Sequence, residues 1–168
     1  MKHNGEQTYH CACVFVDNSG FDIVLGVFPF VRELLRNGSK VILSANSRPV
    51  LNDVTHNELI QLTALIAERC EIIKEALDSK RLLIIENGQC SPCLDLRHID
   101  DLLARTMVEQ GVDLIILEGM GRAIHTNFNA EFKCPVLKTA VIKNKWLANR
   151  LGGELFSVVF RYESSLCR

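Results

Sequence analysis

Six short apolar runs alternate along the chain with longer amphipathic segments, and this alternation constrains the fold more than any other feature. The apolar runs cover residues 11–16, 40–45, 82–86, 112–117, 136–142 and 155–162. The segments with helical spacing include 21–36, 54–69, 70–79 and 146–151, and a further helical region extends to Gln110. Pro29 should kink or restart the first of these helices, and Asn37-Gly38 should end it. Strands alternating with helices form mainly parallel sheets. We therefore predict an α/β fold, a doubly wound and mostly parallel sheet in three α/β/α layers.

The length, charge and cysteine content of the chain indicate its domain number, partners and location. The chain of 168 residues with 48% hydrophobic residues suits one α/β domain, which we place at residues 11–168 after an irregular segment 1–10. A net charge of -1 gives no electrostatic case for nucleic acid or an anionic membrane. No apolar run reaches the ~18 residues of a membrane span. The first residues lack a signal-peptide core, and seven irregularly spaced cysteines favour a reducing cytoplasm over a disulfide scaffold.

Polar residues follow the ends of four predicted strands. Asp17 and Asn18 follow the first, and the loop after the second leads to Asp53. Further along the chain, the fourth strand is followed by Glu118 and Arg122 and the fifth by Lys143. Since parallel strands end at the same edge of a sheet, which we call the carboxyl edge, these side chains should lie along one line. The strand order, which decides which of them touch, does not follow from the sequence.

Asp17, Asn18 and Asp53 offer two carboxylates and an amide carbonyl. Such hard oxygen donors suit Mg²⁺, Mn²⁺ or a similar divalent ion, including Co²⁺ and Ni²⁺, and leave coordination positions for water and a substrate phosphate. A different interpretation is equally compatible with the local sequence. Asn18 or Ser19 could cap the first helix, and Asn52 or Asp53 could cap the next.

Anion-binding groups are expected near the same edge. The backbone N–H groups of Ser19 and Gly20, at the start of the first helix, form a possible seat for an anion. Arg122 and Lys143 add positive charge that would stabilise a phosphoryl group, although a single lysine at a strand end is usually only solvated. The run Glu118-Gly119-Met120-Gly121-Arg122 is no phosphate-loop or dinucleotide fingerprint, and as a bare pattern it is more often a turn.

Cys90 and Cys93 form a C-x-x-C pair after the third strand. Such a pair can be a dithiol redox centre. It can equally be a turn at Ser91-Pro92 with packed thiols, and the chain has no second cysteine pair for a zinc site. A dithiol redox protein is therefore a minor alternative for the function.

Several motifs in one order resemble the DUF89 metal-dependent damage-control phosphatases, and more narrowly the subfamily with an EGMGR motif. They are residues 15–20, 51–56, 93–96, 118–122, 123–127 and 140–144, and the similarity extends from about residue 13 to 163. The resemblance implies an α/β/α phosphatase core. It places the family's metal ligands on Asp17, Asn18 and Asp53 and its signature motif on Glu118, Gly119, Met120, Gly121 and Arg122.

The resemblance also implies a reaction, the hydrolysis of 4'-phosphopantetheine or its oxidised forms in coenzyme A metabolism. Family members carry a largely helical segment ahead of the first strand, whereas about ten residues precede it here. We therefore expect this chain to lack that segment, as a fragment, an isoform or a decayed paralogue would. An exposed helix-facing surface would then favour self-association or pairing with the missing N-terminal region. A truncated, non-catalytic metal-binding or interaction module is the alternative function.

Overall fold

The computed structural model describes residues 9–165. Most of the predicted irregular segment 1–10, together with Cys167, lies outside these residues. Six strands form one sheet in the order β3-β2-β1-β4-β5-β6, with five strands parallel and the last antiparallel. The predicted doubly wound, mostly parallel α/β fold is confirmed.

The strands lie close to the predicted positions. They are β1 Cys11–Phe15, β2 Lys40–Ala45, β3 Leu82–Glu86, β4 Leu114–Glu118, β5 Val136–Val141 and β6 Val158–Glu163. Strands β1, β2 and β4 are almost wholly buried, because helices or long loops cover both of their faces.

Five α-helices connect or flank the strands. They are α1 Phe28–Arg36, α2 His56–Ala67, α3 Glu71–Asp78, α4 Asp101–Glu109 and α5 Lys145–Arg150. Two π-helical segments, Asp22–Val27 and Met120–Thr126, and a short 3-10 turn, Leu96–His98, complete the helical structure.

The first predicted helix is divided at the proline, as its sequence indicated. Residues Asp22–Val27 are π-helical, and α1 then begins at Phe28 with Pro29 in its first turn. Proline is tolerated there because the first N–H groups of a helix have no intrahelical acceptor. Asn37 and Gly38, whose φ is +88°, end the helix as predicted.

Two apolar clusters sandwich the sheet. Val14, Leu43 and Ile116 pack beneath α1, α2 and α3 on one face. On the other face, Phe15 and Leu117 pack with residues of α4, α5 and the segment Met120–Thr126. This layering holds the carboxyl edge of the central strands rigid.

The last strand returns beside the end of β5. The N–H of Ile142 donates to the Ser157 carbonyl at 2.9 Å, and the N–H of Phe156 donates to the Ile142 carbonyl at 2.7 Å. The chain thus re-enters the sheet where it left, which makes β6 antiparallel and differs from a fully alternating parallel pattern. Within the described part of the chain, none of the helices is long and apolar enough to cross a membrane.

Candidate active site at the carboxyl edge

Strands β1 and β4 are neighbours at the centre of the sheet, and the chain leaves them towards opposite sides. The loops that follow therefore diverge and open a crevice, the usual place for a ligand in a doubly wound sheet. A cleft of about 610 Å³ lies there. Eight of the residues predicted from sequence line it: Asp17, Asn18, Asp53, Glu118, Gly119, Met120, Gly121 and Lys143.

Backbone pairing brings the loops after β1 and β2 together. Asn18 and Asp53 form an isolated antiparallel bridge. The N–H of Val54 donates to the Asp17 carbonyl at 2.9 Å. Residues separated by a helix and a strand along the chain thus become neighbours.

Arg122 lies between the two carboxylates and is fully buried. Its Nη1 donates to Asp17 Oδ1, and its Nη2 donates to Asp53 Oδ2 at 2.8 Å. Nη1 also approaches the Pro92 carbonyl at 3.4 Å. From the sequence we expected this side chain to neutralise a phosphate, whereas in the structure it pairs with two acidic side chains. Two carboxylates buried side by side need a counter-charge, and Arg122 supplies it.

The capping interpretation of Asp53 is wrong. Helix α2 is capped by Thr55, whose hydroxyl accepts from the Glu58 N–H while the Glu58 carboxylate accepts from the Thr55 N–H. The capping interpretation of Asn18 and Ser19 is also wrong, because the first helical segment has no side-chain cap, and Asn18 Nδ2 donates instead to Asp22 Oδ2 at 2.6 Å. Asp53 is therefore free of any helix-capping role and faces the cleft.

Two glycines of the signature motif allow groups from neighbouring loops to lie directly against the backbone. Gly119 has a φ of +91°, and a Cβ there would overlap the Asp17 carboxylate. A Cβ on Gly121 would overlap the Pro92 carbonyl. Residues Met120–Thr126 then continue as a π-helix rather than as the turn that the bare pattern favours. The glycines thus let β4 and its helix pack directly against the loops after β1 and β3.

Burial raises the pKa of two carboxyl groups in the cleft. The pKa of Asp17 rises to about 6, mainly by desolvation, while Arg122 opposes the rise. The pKa of Glu118 rises to about 7, again mainly by desolvation. The backbone N–H of Asp17 donates to the Glu118 carboxylate at 3.2 Å and opposes this rise in pKa, whereas the charge of the Asp17 carboxylate adds to it. A cation bound beside these groups would favour their ionised forms and lower both pKa values.

The donor set fits a hard divalent ion. Among the described residues, hydrogen bonds reach one carboxylate oxygen of Asp17 (Oδ1) and one of Asp53 (Oδ2). The Asn18 side chain forms its hydrogen bond through Nδ2, which leaves its carbonyl oxygen without one in the described part of the chain. Among the described residues, the remaining oxygens of these three side chains accept no hydrogen bond. No group of three or more His, Cys, Asp or Glu side chains within residues 9–165 is arranged to hold a metal. The fit therefore depends on two carboxylates and one amide.

The expected anion seat at the first helix is only partly present. The N–H of Ser19 donates to the Asn52 carbonyl at 2.8 Å, so this donor is already used and differs from the expectation. Gly20 is exposed, with a φ of +72° and open space around it. Lys143 is exposed at the cleft and lowers the pKa of Asp17 through its charge.

Sequence reasoning missed two buried asparagines, Asn46 and Asn87. Each is the first residue after a strand, β2 and β3 respectively, and each is at most 1% exposed. Asn46 Nδ2 donates to Asp53 Oδ2 at 3.2 Å, and Asn87 Nδ2 donates to Asn46 Oδ1 at 3.0 Å. Both could have been proposed from the sequence, because they too are polar residues that directly follow predicted strands.

The cysteine pair lies beside the cleft. Cys90 is exposed and Cys93 half-buried, and both are free thiols. Burial raises the pKa of the Cys93 thiol, with Arg122 opposing the rise. A redox-active thiol needs a lowered pKa. The raised pKa keeps the Cys93 thiol protonated, so this thiol gives no support to the dithiol alternative.

Two curated relatives of this chain are named as phosphatases. A curated 4'-phosphopantetheine phosphatase of Mus musculus is 44% identical over 92% of this chain and 25% of its own length. A damage-control phosphatase of Arabidopsis thaliana is 44% identical over 90% of this chain and 40% of its own length. The chain thus spans between a quarter and two fifths of the length of these two relatives.

The fold has a solved counterpart. A DUF89 family protein from Pyrococcus horikoshii superimposes with a TM-score of 0.62 at 17% identity, over 92% of this chain and 47% of that one. The family model described as the damage-control phosphatase ARMT1-like domain matches residues 2–159. The chain belongs to this damage-control phosphatase family.

Proposed function

We propose that the chain carries a divalent-metal-dependent phosphomonoesterase site, with Asp17, Asn18 and Asp53 as the ligands of the ion. One observation carries the proposal. Two loops far apart in sequence bring these side chains to the switch point of the sheet, and each side chain keeps one oxygen that accepts no hydrogen bond from residues 9–165. The proposal also accounts for the excess of negative charge around Arg122.

Each residue of the site has a role in the proposal. Bound there, Mg²⁺, Mn²⁺, Co²⁺ or Ni²⁺ would polarise a phosphoryl oxygen and lower the pKa of a water molecule. Arg122 holds the carboxylates of Asp17 and Asp53 in one orientation. Lys143, at the mouth of the cleft, attracts and neutralises the phosphate of the substrate.

Small phosphate esters are the substrate class, with 4'-phosphopantetheine or its oxidised forms as the specific proposal. The support is the 44% identity to a protein named 4'-phosphopantetheine phosphatase. A cleft of about 610 Å³ is within the range of small-molecule sites. The six described cysteines are free, which suits the reducing cytoplasm that we propose as the location.

The test is phosphate release from 4'-phosphopantetheine by the purified chain, with each of the four metals and with none. We expect metal-dependent release by the wild type. In Asp17→Ala, release should fall to background, since removing one essential group of a catalytic unit typically costs on the order of 10³-fold or more. Asp17→Asn, which keeps the shape of the side chain, should show the same loss.

Asp113→Asn is the matched control. Asp113 is another strand-end aspartate with a hydrogen-bonded carboxylate, which accepts the backbone N–H groups of His10 and Cys11, but it lies at the opposite edge of the sheet. It should lower stability and leave metal-dependent release intact. Equal release by the wild type and both Asp17 variants, or no release with any metal, would contradict the proposal.

A second candidate, a non-catalytic interaction module, is favoured by one observation. An apolar patch formed by Phe30, Leu137, Val158, Phe160 and Tyr162 lies on the face of the sheet beyond α1, with Phe160 73% exposed. Apolar patches of this kind mark contacts with another polypeptide. A chain that binds Mn²⁺ and associates through this patch, yet releases no phosphate, would favour this candidate.

A further inference from the structure

A chain of buried amides leads to Asp53 from the side away from the cleft. The Asn46 and Asn87 side chains are buried at the ends of β2 and β3. Asn46 Nδ2 donates to Asp53 Oδ2 at 3.2 Å and to the Ser91 carbonyl at 3.0 Å. Asn46 Oδ1 accepts from Asn87 Nδ2 at 3.0 Å. Every polar atom of the Asn46 side chain is thus paired.

Backbone groups at both ends fix the direction of this chain. The N–H of Gln89, which can only donate, bonds Asn87 Oδ1 at 2.8 Å. Asn87 must therefore present its NH₂ group to Asn46 Oδ1. The Ser91 carbonyl, which can only accept, requires the NH₂ group of Asn46 on its side. Neither amide can flip without losing a buried hydrogen bond.

Asn46 and Arg122 converge on the same oxygen of Asp53. Arg122 Nη2 donates to Asp53 Oδ2 at 2.8 Å, and Asn46 Nδ2 donates to that same atom. Asp53 Oδ1 receives no hydrogen bond from the described residues. The two donors therefore set the rotation of the carboxylate and leave a defined oxygen for another partner.

We propose that Asn46 is a positioning residue that holds Asp53 so that its Oδ1 faces the metal ion, and that Asn87 locks Asn46 in this orientation. This inference rests on the proposed function, since it needs a metal at Asp17 and Asp53. Arg122 neutralises part of the negative charge of the carboxylates. The neutral amide of Asn46 orients Asp53 without adding a positive charge that would compete with the metal ion. Groups that orient metal ligands typically contribute about 10–100-fold in metal affinity.

The experiment measures Mn²⁺ affinity of the folded chain by electron paramagnetic resonance. Asn46→Ala should bind Mn²⁺ about 10–100-fold more weakly than the wild type. Asn87→Ala, one step further from Asp53, should weaken binding by a smaller factor in the same direction. At saturating Mn²⁺ the kcat of Asn46→Ala should return to near that of the wild type, because the residue acts through the metal site.

Thr63→Val is the control for a merely structural role. Thr63 is buried, and its hydroxyl donates to the Leu59 carbonyl at 2.6 Å within α2, away from Asp53. It should lower the thermal midpoint and leave the Mn²⁺ affinity unchanged.

The outcomes separate the two ideas. If the wild type binds Mn²⁺ and both asparagine variants bind it as tightly as Thr63→Val, the positioning role is overturned and the proposed function stands. If the wild type binds no Mn²⁺, the proposed function and this inference both fail. Should Asn46→Ala not fold, the affinity of Asn87→Ala decides between the outcomes.

Discussion

Arg122 and Lys138 are both fully buried cations, but the groups around them differ. Lys138 Nζ donates to the carbonyls of Phe128 and Ala130 and to the Glu163 carboxylate, all within 3.2 Å. Three donors meet three acceptors, and the ion cluster is complete. Arg161 adds a second cation to Glu163 at 2.7 Å.

The cluster around Arg122 is incomplete in two ways. Its Nε has no hydrogen-bond partner among the described residues although it is buried. Its charge is shared by Asp17 and Asp53, so one negative charge remains in excess. A buried cation whose donors all have acceptors holds a fold together, as Lys138 does for the loop over β5, and the additional charge of Arg161 lies in a partly exposed side chain. A buried donor without a partner, beside an excess of carboxylate, indicates where a ligand binds.

The first prediction tests this contrast with two substitutions of similar length. Lys138→Met leaves two carbonyls without their donor, while the partly exposed Glu163 keeps Arg161, and should cost about 1–3 kcal/mol of unfolding free energy. Arg122→Met leaves the buried Asp53 carboxylate without a cation and should cost more, about 3–5 kcal/mol in the absence of metal. Urea unfolding with and without Mn²⁺ measures both.

Manganese should separate the two variants. At a concentration about 100-fold above Kd, a ligand of the folded state adds about 2.7 kcal/mol. Arg122→Met should gain more from Mn²⁺ than the wild type does, because the competing guanidinium is gone. Lys138→Met should gain only as much as the wild type. Equal gains in all three proteins would mean that Arg122 and the metal do not share the same carboxylates.

The second prediction concerns Gly119, whose backbone lies against the Asp17 carboxylate. Alanine there meets an unfavourable φ of +91°, which costs about 1–3 kcal/mol, and its Cβ displaces the Asp17 carboxylate. A displacement of about 1 Å at a reacting centre can cost on the order of 10²-fold in rate. Metal-dependent phosphate release and thermal unfolding measure the two effects.

Gly152 provides the matched control for this substitution. Its φ is +72°, and a Cβ there would meet no atom within 4 Å. Gly152→Ala should therefore lose a similar stability and keep its activity. If both variants lost activity equally, backbone strain would explain the loss, and the contact with Asp17 would not.

The sequence predicted the elements well, because local patterns determine them. The bounds of β2 and β3 match the prediction at both ends, since each apolar run ends at a polar residue or a turn. The division of the first helix at Pro29 was equally legible, because proline acts on its own neighbours. Local chemistry is sufficient for such features.

Features that depend on distant partners were harder to predict. The placement of Arg122 between two carboxylates depends on the strand order, which no local pattern contains. Asn46 and Asn87 look like ordinary loop residues until the fold brings them to Asp53. The antiparallel direction of β6 depends on hydrogen bonds between Ile142 and the loop before that strand.

The third and smallest prediction concerns the one exposed cation that was expected at the site, Lys143. Lys143→Ala should raise the KM for a phosphate ester about 5-fold or less, because exposed charge pairs contribute at most about 1 kcal/mol. The kcat should change little, since an interaction of this kind acts on bound substrate and transition state alike. Steady-state kinetics at two ionic strengths measure the effect.

At high salt the KM of Lys143→Ala should become equal to that of the wild type. The effect of substituting a buried charged group should persist at high salt. The Debye length falls from ~10 Å at 0.1 M to ~3 Å at 1 M, so an exposed lysine loses its reach while Arg122 keeps its contacts. Lys145→Ala is the matched control, because this lysine is also exposed but lies outside the cleft lining. If Lys143→Ala lowered kcat and this change persisted at high salt, Lys143 would contact the reacting phosphate directly. Its role would then resemble that of a buried charged group such as Arg122.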